Sequence, residues 1–145
     1  MPKVYASSVI NAPADRVWAQ IRDFNGLPNW HPRIVQSRIE QDQAADKVGC
    51  VRNFRLDGGG TIREKLLGLS DYEYACTYSI LESPMGVENY VATLQLTPIT
   101  DGNRCFAEWT AEFDCPPQNA AGLVADIGGN VFQAGFDALK RRFGG

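Results

Sequence analysis

The sequence predicts an α+β fold: a curved, seven-stranded antiparallel sheet wrapped around one long C-terminal α-helix, with two short helices after strand 1. Three observations predict it. Val4–Ile10 alternates as a strand does, and a helix-like segment follows it. From Arg33 to Cys115 the apolar pattern has period two, with connections too short for parallel neighbours. Asn119–Phe143 then has helical spacing and, at about 1.5 Å per residue, is long enough to cross a sheet.

The segment after the first strand carries helix start and stop signals. Asn11 is a candidate N-cap, Pro13 suits a first turn, and Asp15 faces the positive end of the helix dipole. Asn25-Gly26 predicts the end of this helix, because glycine adopts left-handed backbone at low cost. Leu27–Pro32 contains two prolines and predicts an irregular turn or a single helical turn.

Six further strands are predicted in the period-two region, separated by turn signals such as Asp57-Gly58-Gly59-Gly60. They are Ile34–Glu40, Cys50–Leu56, Thr61–Leu69, Tyr74–Glu82, Asn89–Pro98 and Cys105–Phe113. The last helix is the only large element left to cover one face of this sheet.

Composition favours an ordinary globular protein and excludes several function classes. The 145 residues are 44% hydrophobic and 21% charged, which predicts one domain over residues 1–145. A formal net charge of -3 gives no electrostatic reason to bind nucleic acid or an anionic membrane. We expect no membrane span and no signal peptide, and therefore a cytoplasmic location. Whether the chain is a monomer or a homodimer stays open.

No metal or organic cofactor is expected. The four cysteines (Cys50, Cys76, Cys105 and Cys115) form no C-x-x-C pair, and the sequence has one histidine. That histidine, His31, lies between Trp30 and Pro32 in a turn, where a packing or solvated role is the common one.

Strand alternation places a charged pair inside the sheet. Ile62, Glu64 and Leu66 form the more apolar face of their strand and should point inward. Matching like faces across the Asp57–Gly60 hairpin sets Leu56 opposite Ile62, Phe54 opposite Glu64 and Arg52 opposite Leu66. Arg52 is then diagonal to Glu64 on the same face. Two interpretations stay open: a structural ion pair, or polar groups that face a ligand.

The final helix has an apolar stripe that includes Val124, Gly128 and Phe132. Gly128-Gly129 lies in the middle of the helix, where each glycine costs about 1 kcal/mol relative to alanine. The missing side chains leave room for a ligand, or they serve close packing or a kink.

The order of elements and several short strings resemble the START-like, or SRPBCC, superfamily, which has the helix-grip fold. The similar subgroup is the bacterial polyketide cyclase/dehydrase-like and abscisic-acid-receptor-like proteins. The strings are Ala12-Pro13-Ala14-Asp15-Arg16-Val17-Trp18, Val48-Gly49-Cys50-Val51-Arg52, Arg63-Glu64-Lys65-Leu66-Leu67, Asn89-Tyr90 and the strand around Trp109.

This resemblance implies a ligand cavity between the sheet and the C-terminal helix. In the receptors, the positions of Glu64 and Tyr90 line that cavity, and the loop matching Asp57–Gly60 acts as its gate. The receptor lysine that binds the hormone carboxylate corresponds to Val35, and the gate sequence is replaced by glycines. These two departures speak against a hormone-receptor role.

The main functional hypothesis is binding or transport of a small hydrophobic ligand such as a lipid, polyketide or aromatic compound. The residues predicted to bind it are Val35, Arg52, Phe54, Leu56, Ile62, Glu64, Leu66, Tyr90, Leu94, Trp109, Val124, Gly128 and Phe132. One alternative is a polyketide cyclase/dehydratase-type enzyme with Glu64 as general base and Tyr90 or Arg52 as donor to an enolate oxygen. A second alternative is a partner-binding stress-response module that binds no ligand.

Overall fold

The strands form one antiparallel sheet in a computed structural model that describes residues 1–144. The spatial order is β1-β7-β6-β5-β4-β3-β2, so β1 closes against β7 and every other pair joins strands consecutive in sequence. This confirms the predicted α+β architecture. The strands are β1 (Lys3–Ile10), β2 (Ile34–Ile39), β3 (Val51–Leu56), β4 (Thr61–Ser70), β5 (Ala75–Glu82), β6 (Glu88–Ile99) and β7 (Arg104–Asp114).

Helix α1 (Ala14–Ile21) ends earlier than the sequence predicts, and Asn11 does not cap it. Pro13 occupies the N-cap position, with no side-chain cap. The Asp23 carboxylate accepts the Asn25 N–H at 3.0 Å, a local turn that competes with helix continuation. A 3₁₀ turn (Leu27–Asn29) follows, as the two prolines indicate.

The C-terminal helix covers the inner face of the sheet in three consecutive parts. They are α2 (Ala120–Asp126), a π-helical segment (Ile127–Gln133) and α3 (Ala134–Arg142). The Gly128-Gly129 pair lies within the π-helical segment, the kind of irregularity that often occurs at functional sites. A β-carbon on Gly128 would meet Val4 at an ordinary 3.5 Å, and one on Gly129 would meet nothing within 4 Å.

Gly135 is the helix glycine whose missing side chain the packing requires. A β-carbon there would lie 3.0 Å from both His31 and Trp109 and 3.2 Å from Trp30. Contacts that short force neighbouring atoms to move. The helix therefore approaches the sheet and the Trp30-His31 turn closely at Gly135, a position that no sequence signal indicates.

The inward faces agree with the predicted alternation, but the β3–β4 register differs from the expected one by two residues. Arg52 pairs directly with Glu64, and Phe54 pairs with Ile62. The turn explains the shift: the Leu56 N–H donates to the Gly60 carbonyl at 3.0 Å, and Gly60 has φ 97°. This conformation suits glycine and centres the hairpin on Gly58. The correction places Arg52 opposite Glu64 instead of diagonal to it.

His31 connects the turn before β2 to the π-helical segment. Its Nε2 lies 2.8 Å from the Val131 carbonyl, and its Nδ1 accepts the Arg33 N–H at 3.2 Å. These partners require a neutral ring with its proton on Nε2. The ring is buried, and burial lowers the pKa of His31. The Arg33 and Arg52 charges lower this pKa further, while the Val131 hydrogen bond and the Asp57 charge act in the opposite direction. His31 is thus a packing residue with two specific hydrogen bonds.

We predict that His31 makes stability decline in mild acid. Because its folded pKa lies below the ordinary 6.5, its contribution is complete above pH 6.5 and is lost as pH falls toward the folded value. Urea unfolding of wild type and His31→Phe at several pH values measures this. At neutral pH, the free energy of unfolding of the variant should be about 1–3 kcal/mol lower than that of wild type. As the pH falls, the variant should lack the decline in stability that protonation of His31 causes in wild type. An unchanged pH dependence in the variant would contradict the assignment.

Candidate functional site

A cavity of about 120 Å³ lies between the inner face of the sheet and the π-helical segment. Its inner end is formed by fully buried side chains of β3 to β7, and its outer end by half-buried or exposed ones such as Met85 and Asp126. The lining residues are Leu27, His31, Arg33, Ile34, Arg52, Phe54, Leu56, Ile62, Glu64, Tyr78, Ile80, Met85, Tyr90, Trp109, Asp126, Ile127 and Val131.

An ion pair between Arg52 of β3 and Glu64 of β4 lies at the inner end. Arg52 Nη2 is 2.7 Å and Nε is 2.9 Å from Glu64 Oε1, and the two side chains are only 6% and 7% exposed. Strand pairing holds the two residues directly opposite each other on the inward face. Two unpaired charges at this depth would each cost several kcal/mol, so each charge requires the other.

The rest of the Arg52 guanidinium is enclosed by aromatic rings. Its central carbon lies 3.9 Å from the ring centre of Phe24, 4.8 Å from that of Tyr78 and 5.7 Å from that of Phe54. Nη1 also donates to the Phe24 carbonyl at 3.2 Å. Cation–π contacts of this kind gain strength when water is excluded. Arg52 is therefore fixed in one position, and it fixes Glu64 in turn.

Glu64 keeps one carboxylate oxygen for the cavity. The Arg52 Nε hydrogen bond and the Nη2 ion-pair contact both end on Oε1, and no protein donor within residues 1–144 bonds to Oε2. Burial raises the pKa of Glu64, while the charge and hydrogen bonds of Arg52 act in the opposite direction. The carboxylate is thus a more basic acceptor than an ordinary glutamate, and it lines an otherwise apolar space.

Two tyrosine hydroxyls accompany this carboxylate. The Tyr78 oxygen accepts the Trp109 Nε1–H at 3.0 Å, which leaves its own proton available as a donor. Tyr90 stacks on Phe113 with ring centres 5.8 Å apart, and its hydroxyl has no hydrogen-bond partner among the described residues. Burial and the nearby Glu64 charge raise the pKa of both tyrosines, so both hydroxyls stay protonated.

The structure brings about half of the predicted ligand-binding residues to the cavity. Those that line it are Arg52, Phe54, Leu56, Ile62, Glu64, Tyr90 and Trp109. Their role in binding stays a prediction.

The remaining predicted residues do not line the cavity. Val35 is 49% exposed, because it follows the inward-facing Ile34 and therefore points to the opposite face of the sheet, so its expected place in the cavity is wrong. Val124 lies in a surface depression beside Met1 and Pro2. Leu66, Leu94 and Phe132 are buried in the core beside the cavity, and Gly128 packs near Val4.

Sequence reasoning also missed several lining residues. The inward direction of Tyr78 could have been predicted from strand alternation, since Tyr78 shares the buried face of β5 with Cys76. His31, Val131 and Met85 belong to a turn, the π-helical segment and a loop, where no simple period indicates direction. Within residues 1–144, no cluster of three or more His, Cys, Asp or Glu side chains is arranged to hold a metal ion. No helix among these residues is long and apolar enough to span a membrane.

Solved structures with similar folds include several bacterial proteins. The protein XoxI from Bacillus cereus is 31% identical, with a TM-score of 0.86 over 99% of this chain and 96% of that one. A protein from Thermobifida fusca is 30% identical, with a TM-score of 0.89 over 99% and 94%. The Zhui aromatase/cyclase from Streptomyces sp. R1128 is 19% identical, with a TM-score of 0.79 over 97% and 92%, a likeness of fold alone.

The family described as polyketide cyclase/dehydrase and lipid transport matches residues 1–144. This match confirms the resemblance drawn from the sequence strings, and the seven-stranded sheet with its long C-terminal helix confirms the helix-grip fold. The chain belongs to the polyketide cyclase/dehydrase and lipid-transport family.

Proposed function

We propose that this protein binds a small hydrophobic ligand in the cavity between the sheet and the π-helical segment. The observation that carries the proposal is an apolar cavity with an uncovered Glu64 oxygen and two tyrosine hydroxyls at its inner end. Ligand pockets usually combine apolar walls with a few convergent polar groups. The family description, which includes lipid transport, supports the same function.

The driving force for binding comes from the walls, and the orientation from the inner end. Ile62, Ile80 and Trp109 offer apolar surface whose burial contributes about 25 cal/mol per Å². Glu64, Tyr78 and Tyr90 would orient the polar end of a ligand. These features fit a carrier or sensor, since binding requires no reacting group. We propose that it works in the cytoplasm.

Filling the cavity should abolish binding. Toluene, followed by tryptophan fluorescence and by the rise in melting temperature, should bind wild type in a saturable way. Ile80→Trp places a large ring in the cavity and should remove this binding, because Ile80 lines it. Leu81→Trp is the matched control, since Leu81 is the neighbouring residue and is 45% exposed.

Equal binding of toluene by the two tryptophan variants would contradict this location of the site. A folded wild type that shows no saturable binding of toluene would contradict the proposed function itself.

A dehydratase activity is the second candidate, and the uncovered Glu64 carboxylate favours it. Burial raises the pKa of Glu64, which makes it a better general base. Glu64 would take the proton α to a ketone while the Tyr90 hydroxyl donates to the enolate oxygen. The enolate then expels the β-hydroxyl group, which receives the proton held by Glu64 and departs as water. A β-hydroxy ketone is thereby converted to an enone.

Diacetone alcohol, whose dehydration to mesityl oxide is followed by ultraviolet absorbance, tests this candidate. Glu64→Gln should reduce turnover at least a hundredfold, because proton transfer by a positioned side chain is worth about 10²–10⁴-fold. Toluene should still bind this variant. Glu112→Gln, on the exposed side of β7, should behave as wild type. Wild-type turnover no faster than the buffer reaction would leave binding as the function and exclude dehydration of this ketone.

A further inference from the structure

We infer that the cavity selects a neutral single-ring phenol over the same ring without a hydroxyl and over an aromatic carboxylate. This inference rests on the proposed binding function and names the class of ligand. It follows from the size of the cavity, from the charge balance at its inner end, and from the hydrogen-bonding groups that the protein leaves without partners.

The size of the cavity limits the ligand to one ring. Its volume is about 120 Å³. An apolar protein cavity of about 150 Å³ holds one benzene molecule. The walls also suit a flat ring, since Tyr78, Tyr90 and Trp109 surround the inner end together with Ile62 and Ile80. A fused polyketide or a long acyl chain would exceed this volume.

The charge balance excludes an anion. The positive charge of Arg52 is already matched by Glu64, with an Nη2 ion-pair contact at 2.7 Å and an Nε hydrogen bond at 2.9 Å, both to Oε1. Arg52 is further held by the Phe24 carbonyl and by three aromatic rings. A ligand carboxylate would therefore approach the uncovered Glu64 oxygen with no unmatched cation beside it. Like charges in such an environment repel strongly, because water does not screen them.

The uncovered polar groups match a hydroxyl. Glu64 Oε2 is an acceptor without a protein donor within residues 1–144, so it favours a ligand that brings a proton. The Tyr90 hydroxyl has no described partner, and the Tyr78 oxygen already accepts from Trp109, so each can donate. A phenol satisfies both requirements, because its proton reaches Glu64 while its oxygen accepts from a tyrosine. A plain apolar ring would leave Glu64 Oε2 buried without a partner.

The experiment compares para-cresol, toluene, benzoate and benzylamine by calorimetric titration of the full chain at neutral pH. We expect para-cresol to bind about tenfold more tightly than toluene, because a hydrogen bond to a charged group is among the strong ones. Benzoate should bind at least tenfold more weakly than para-cresol. Benzylamine should also bind more weakly, since it would add a positive charge to a pair that is already neutral.

Two variants assign the preference to named groups. Glu64→Gln replaces the charged carboxylate with a neutral amide that both donates and accepts. The affinity of this variant for para-cresol should be within about threefold of its affinity for toluene, and toluene binding should be retained. Tyr90→Phe keeps the ring that stacks on Phe113 and should reduce the para-cresol preference alone. Tyr5→Phe is the matched control, because the Tyr5 hydroxyl bonds to Glu108 on the opposite side of the sheet.

The outcomes separate this inference from the function on which it rests. Toluene and para-cresol binding with equal affinity would overturn the phenol preference and leave hydrophobic binding intact. Benzoate or benzylamine binding more tightly than para-cresol would overturn the charge argument. If none of the four compounds binds, the proposed function fails together with the inference. A Tyr90→Phe variant with the full wild-type preference would overturn the role of the Tyr90 hydroxyl.

Discussion

The buried Arg52–Glu64 pair is the constraint on which the interior of this protein depends. A charge at this depth is tolerated only with a partner, and removing one member of such a pair costs on the order of 3–5 kcal/mol. The pair also dictates its surroundings, because the Phe24 carbonyl and the rings of Phe24 and Tyr78 hold the guanidinium. On the other side of the pair, Glu64 lines the open space of the cavity.

The π-helical segment and the turn at His31 close the opposite side of that space. The His31–Val131 hydrogen bond and the close approach at Gly135 connect the helix to the Trp30-His31 turn. Trp109 joins both sides, since its ring stacks on Phe132 at 4.5 Å and its Nε1–H donates to Tyr78. The cavity is therefore bounded by parts that support one another, which keeps its polar groups in fixed positions.

Much of the architecture could be predicted from the sequence because alternation and turn residues are local signals. The strands and the inward direction of Glu64 and Trp109 follow from period two, and the antiparallel pairing follows from the short connections between strands. The register of the β3–β4 hairpin could not be obtained in this way, since positive φ at Gly60 decides which residue the turn is centred on. The bulge between Ile34 and Gln36 and the positions of His31 and Val131 depend on tertiary contacts between distant segments.

The most direct measurement is a pH titration of the Glu64 side-chain carboxyl carbon by nuclear magnetic resonance, with the signal assigned by its absence in Glu64→Gln. A buried carboxylate that shares only one oxygen with Arg52 should titrate above the ordinary value of 4.5, and its signal should shift when para-cresol is added. A titration at or below 4.5, with no response to para-cresol, would place the carboxylate in water or in a fully satisfied pair. Either result would contradict a cavity built around an uncovered Glu64 oxygen.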